Sequence, residues 1–166
     1  GETDVNLLTN LSAGLFILPF FLFSATAGQW VDKKEKSQSI RLIKLMEIVI
    51  MLGAAYAFYI GSIYMLIALL FLMGTQSTFF GPAKYSYIPQ HLKVTELVEG
   101  NAWVQMGTFV AILLGTVLGG VLIAQEQGRQ YVAYAIISFA IAGYLSSRFI
   151  PITPSLNEGM KINWNV

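Results

Sequence analysis

The chain has 166 residues, of which 55% are hydrophobic and only 11% charged, with a formal net charge of +1. Soluble domains carry roughly a quarter of their residues as Asp, Glu, Lys and Arg. The composition therefore excludes an ordinary soluble domain and a disordered chain, and the lack of a basic tract excludes a nucleic-acid binder. With no cysteine there is no disulfide framework, thiolate chemistry or zinc-finger spacing.

Residues 5–31, 48–83, 100–125 and 130–147 contain no Asp, Glu, Lys or Arg. Uncharged apolar runs of about 18 residues or more are long enough for a helix to cross roughly 30 Å of hydrocarbon. An all-α membrane protein with about five transmembrane helices is expected. Residue 1 is Gly, and no basic flank precedes the first run, so a signal peptide is not expected and the chain reads as a piece of a longer one.

The first span is placed near 7–28, with Pro19 expected to kink it and Gly28 expected to allow a tight exit. The second lies near 40–60. The run 48–83 is too long for one crossing, and Gly61-Ser62, flanked by Tyr59 and Tyr64, divides it, because Gly suits a turn and Tyr prefers headgroup level. The third span then lies near 62–82, with Pro82 expected to break it. The fourth and fifth fall near 99–124 and 131–150. In the fourth, Gly115, Gly119 and Gly120, with Gly107 two turns earlier, offer a small-residue face suited to close helix packing in lipid.

Orientation follows from the basic residues. Lys33, Lys34, Lys36, Arg41, Lys44, Lys84, Lys93, Arg148 and Lys161 fall on one side and only Arg129 on the other. The Lys-rich side is expected to be cytoplasmic. Trp30, Tyr85, Tyr87 and Trp103 stand at the same ends, as an aromatic belt would.

Few residues can carry chemistry. Asp32 sits at a membrane edge beside Lys33, Lys34 and Lys36, where it can pair with a cation or a helix N-terminus, or simply lie in a solvated basic loop. Arg41, Lys44 and Glu47 share a stripe at three-residue spacing. They can snorkel, pair or face a wet cavity, and Lys44–Glu47 is expected to be an i, i+3 pair. Gln76, within Thr75-Gln76-Ser77-Thr78, needs a partner helix or a cavity. Lys84, next to Tyr85, stands where a lipid phosphate could be met. His91, the only histidine, is expected to be solvated. No metal-ligand spacing, nucleophile grouping or phosphate-binding glycine loop is present, so neither an enzyme nor a cofactor is expected.

The segment Gly28-Gln29-Trp30-Val31-Asp32-Lys33-Lys34-Glu35-Lys36 resembles the loop motif G-x-x-x-D-basic-x-G-basic of the major facilitator superfamily. Gly28, Asp32, Lys33 and Lys36 match, and Glu35 replaces the second glycine. The motif implies a conformational switch between the second and third helices of that fold. It also implies that the five spans are helices two to six of twelve, in the amino-terminal half, with one helix missing upstream and 151–166 opening the central cytoplasmic loop.

Three further segments, Phe80-Gly81-Pro82-Ala83-Lys84-Tyr85, Glu96 to Ala102 and Gly107 to Gly120, resemble the bacterial lysophospholipid transporter family. They are most like the transporter part of fused proteins that also carry an acyltransferase and an acyl-acyl-carrier-protein ligase. Pro89 to Lys93 and Asn163-Trp164-Asn165 fit the same resemblance. It implies inward flipping of lysophosphatidylethanolamine-type lipids across the bacterial inner membrane, by alternating access, for re-acylation. Arg41, Lys44, Glu47, Gln76, Lys84 and Tyr85 are then candidates along the substrate path, and the implied partners are the bilayer, the lysolipid and helices outside this chain. Two other readings stay open: a facilitator carrying another small molecule, and a membrane anchor for a fused acyltransferase.

Overall fold

The computed structural model describes residues 2–153 and 155. Five α-helices follow in order: α1 (Glu2–Lys33), α2 (Lys36–Ile60), α3 (Ile63–Tyr87), α4 (Leu97–Ile123) and α5 (Gly128–Ser147). Two short 3-10 turns, Ile88–Gln90 and Val94–Glu96, join α3 to α4. No strand occurs among the described residues. Four helices are long and apolar enough to cross a membrane: Val5–Lys33, Lys36–Ile60, Ile63–Gln90 and Val94–Ile123. The fifth, α5, has 20 residues. Of the expected loop 151–166, residue 154 and residues 156–166, with Lys161 and Asn163-Trp164-Asn165, lie outside the described residues.

The break in the long apolar run is local chemistry. Gly61 takes φ 69° and ψ 25°, a left-handed conformation that closes α2. The Gly61 N–H donates to the Phe58 carbonyl at 3.3 Å, and the Ser62 N–H to that of Ala57 at 3.0 Å. The Ser62 hydroxyl then accepts from the Met65 N–H at 3.3 Å and starts α3.

Two expected helix ends are displaced. Gly28 is not an exit: α1 runs through it to Lys33, because Ala27 and Val31, one turn apart, are both fully buried and carry the packed face onward. Likewise α3 continues through Pro82 to Tyr87. Proline removes one backbone bond, to the Thr78 carbonyl, while burial of the next residue, Ala83, holds the turn in place.

The helix α1 lies on α3, and α2 sits between α3 and α5. The packed core is at the Lys-rich end. Val31, Ile40, Ile43 and Ala83 form it, with Trp30, Phe79, Phe80, Tyr87 and Ile150 against them. Trp30 meets Phe79 edge-on, with centroids 5.7 Å apart. None of α4's residues is buried, and it reaches the bundle through α5, the 3-10 turns and side-chain hydrogen bonds to the end of α3.

Among the described residues, the close helix contact does not fall on α4's glycines. A Cβ at Gly107, Gly115, Gly119 or Gly120 would meet nothing within 4 Å. Among the described residues no helix covers that face, because α4 runs along the edge of the bundle. The close approach is instead at Gly74, where a Cβ would land on the Phe16 carbonyl and 3.2 Å from Pro19 Cγ.

Topology is testable at exposed sites. Ser37 is fully buried, so Gln38, exposed one residue on, is the better probe. Cysteines at Gln38 and Thr95 are expected to react only with membrane-permeant reagents, and one at Gln127 with impermeant reagents in intact cells. Labelling of the cysteine at Gln38 by an impermeant reagent in intact cells would overturn the orientation.

Candidate functional site

The charged residues gather at the Lys-rich end in three groups. The first surrounds the start of α2. Glu35, where the loop motif has glycine, is extended (φ −63°, ψ 130°) and caps α2. Its carboxylate accepts from the Ser37 N–H, the Ser37 hydroxyl and the Gln38 N–H, each at 2.8 Å. It also accepts from the Thr153 N–H at 2.8 Å, beyond the end of α5. Partial burial works to raise the pKa of Glu35, but these four hydrogen bonds outweigh it and hold the carboxyl below its ordinary value. The Thr153 hydroxyl lies 3.4 Å from His91 Nε2, and the His91 ring stacks on Tyr87 at 4.0 Å. His91, expected to be merely solvated, is exposed but has these partners.

Lys36 is fully buried. Its ammonium donates to the carbonyl of Val31 and, at 3.3 Å, to that of Lys34, so it closes the end of α1 as a basic residue does at a helix C-terminus. Asp32 lies 3.9 Å from Lys36 Nζ with its side chain half exposed. Gly28 and Lys33 are half-buried on the same helix. Of the four motif residues, Asp32 and Lys36 meet at the end of α1, where Lys36 is the buried anchor and Asp32 the accessible charge.

The second group bridges α2, α3 and α5. Lys44 Nζ pairs with Glu47 Oε2 at 2.8 Å, both side chains mostly buried. Gln76 Nε2 of α3 donates to the same Glu47 oxygen at 3.0 Å. Lys44 also lies 4.6 Å above the Phe80 ring and against α5, 3.5 Å from where a Cβ at Gly143 would stand. Arg41, one turn back, donates to the Ile150 carbonyl at 2.9 Å and to that of Ser147 at 3.4 Å. It caps the end of α5. Arg41, Lys44, Glu47 and Gln76 are thus engaged with one another's helices.

The third group lies between α3 and α4. Lys84 Nζ reaches one hydroxyl, Thr108 Oγ1, at 3.3 Å, and lies 4.7 Å from the Tyr85 ring. The Tyr85 hydroxyl donates to Gln105 Oε1 at 2.7 Å. Lys84 is half-buried and has no carboxylate partner among the described residues. Of the three cations on the candidate path, Arg41, Lys44 and Lys84, it is the one with donor capacity to spare. No group of His, Asp and Glu able to hold a metal occurs among the described residues.

The chain is a bundle of long apolar helices, four of them long enough to cross a membrane. The family model described as Major Facilitator Superfamily matches residues 3–161, and the chain belongs to that superfamily. It is 29% identical over 155 residues to the lysophospholipid transporter LplT of Escherichia fergusonii, a match covering 92% of this chain and 36% of the relative. The LplT of an Enterobacter species is 27% identical over 148 residues, covering 87% of this chain and 34% of the relative. That of Yersinia enterocolitica is 26% identical over 146 residues, with the same shares of 87% and 34%. The chain spans about a third of the length of the curated relatives it matches. No solved structure matches it.

Proposed function

We propose that the protein containing this chain carries lysophospholipids inward across a bacterial inner membrane, and that Lys84 is the contact for the lipid phosphate. The observation that supports this reading is the contrast among the cations. Arg41 is spent on the end of α5 and Lys44 on Glu47, whereas Lys84 is held by one hydroxyl and faces the α3–α4 side. An anionic amphiphile needs a cation beside an apolar wall. A sugar would need more buried hydrogen-bonding side chains than these helices carry, and a metal ion would need carboxylates or histidines. The LplT relatives supply the cargo class. Helices outside this chain complete the carrier, since alternating access needs two halves rocking about a central site.

The test is uptake in spheroplasts. External lysophosphatidylethanolamine is expected to move inward and be acylated to the diacyl lipid. Lys84→Ala is expected to slow this roughly tenfold, the worth of one charge-assisted contact. Lys93→Ala, farther along the loop and exposed, is expected to be near normal. A full rate in Lys84→Ala at equal expression would overturn the assignment of Lys84. Unchanged uptake on deleting the gene, with no redundant carrier, would overturn the cargo.

A further inference from the structure

At the end opposite the basic loops, a groove of about 490 Å³ runs between α2 and α5. That size is within the roughly 300–1,000 Å³ of small-molecule sites. We propose that it holds one membrane glycerophospholipid, with the phosphate on Arg129 and an acyl chain laid along the groove beneath it. The inference goes beyond the cargo reading and does not rest on it.

Arg129 lies in the first turn of α5 and is the one basic residue that the charge split places outside. It is exposed, and no carboxylate pairs with it among the described residues. Glu126, which borders the adjoining hollow, is not within ion-pair distance. The guanidinium folds over the α2 turn, with Nη1 3.4 Å from where a Cβ at Gly61 would stand. It is therefore held at the mouth of the groove.

Below it the lining changes character. Arg129, Gln130, Ala133 and Ile137 follow one another along a single stripe of α5, opposite Ala55 and Phe58 of α2. From Arg129 to Ile137 the helix descends about 12 Å. Ala55 and Ala133 are small and leave the slot between the helices. Tyr59 and Tyr134, both well exposed at the rim, mark the headgroup level. A fork of guanidinium donors and an amide at the top, with an apolar slot beneath, fits a phosphate bearing an acyl chain. Snorkelling explains an arginine at the interface, but it needs no slot. A soluble anion has no use for the apolar floor.

Native mass spectrometry of the natural full-length protein, with phosphatidylglycerol added in detergent, tests this. The wild type is expected to retain one lipid, and glycerol 3-phosphate to compete at least tenfold less well. Arg129→Gln should weaken retention roughly tenfold. Ala133→Leu, which fills the slot but keeps the cation, should weaken it as much. Ala55→Leu fills the slot from α2 should Ala133→Leu not fold. Full retention in the slot-filled protein, or equal competition by glycerol 3-phosphate, overturns the groove. Full retention in Arg129→Gln overturns the phosphate contact.

Discussion

Gly74→Val is expected to remove most of the folded protein from the membrane. The added Cβ alone would meet the Phe16 carbonyl and Pro19, and the branched methyls have nowhere to turn. A backbone carbonyl cannot swing away as a side-chain tip can, so α1 must shift bodily from α3. Overpacking usually costs about 1–3 kcal/mol, and an obstacle made of backbone belongs at the top of that range. Gly74→Ala should already lower the melting temperature measurably in detergent. The same alanine at Gly119 meets nothing within 4 Å and should be silent toward this chain. Any loss on putting leucine there would therefore report a helix outside the described residues. Detergent-solubilised yield and a melting curve for each variant check the contrast. Equal tolerance at Gly74 and Gly119 would show that the α1–α3 contact does not limit stability.

The same pair of glycines shows what could be read without coordinates. A glycine's suitability for close packing is visible in sequence, but whether a helix arrives on that face is a tertiary fact. The pattern at Gly115 to Gly120 was the louder signal. Gly74, four residues before Thr78, makes the contact, and Thr78 turns its hydroxyl back to the Gly74 carbonyl at 2.8 Å. The number of helices and the Gly61 turn were legible because they depend on local terms: charge-free length, and a residue able to take positive φ. The pairing of Lys44 with Glu47 was legible for the same reason, since three residues separate neighbours on a helix.

Other features join residues far apart in sequence or reverse a usual expectation. Glu35 reads as a departure from the loop motif, yet it caps α2 and accepts from Thr153, 118 residues away. Lys36 reads as one more solvated lysine. Its ammonium instead reaches back to Val31 and is wholly buried, because the unsatisfied carbonyls at the end of α1 offer what water would have supplied. Arg41 reads as a cation for cargo, and its donors go to the end of α5. Each was hidden because a charged side chain takes its partner from whatever the fold brings near, which hydropathy does not encode.

Lys44 and Glu47 give the second large effect. Lys44→Met is expected to destabilise the protein by roughly 3 kcal/mol, because it leaves the Glu47 carboxylate mostly buried with only Gln76 to satisfy it. Removing both charges is expected to be far milder. In Lys44→Met with Glu47→Leu, the desolvation cost of the two charges disappears together with their attraction, and the buried Gln76 amide keeps the Ile43 carbonyl at 3.5 Å. The non-additivity is the diagnostic quantity: the double variant should melt well above the single Lys44→Met protein. Transport then separates the roles. If the pair only ties three helices together, the double variant should carry lysolipid at close to the normal rate. Lys84→Ala, with its helices intact, should not. A double variant that melts normally yet carries nothing would place Lys44 and Glu47 on the path itself, and Lys84 would lose its standing as the principal cation for the phosphate.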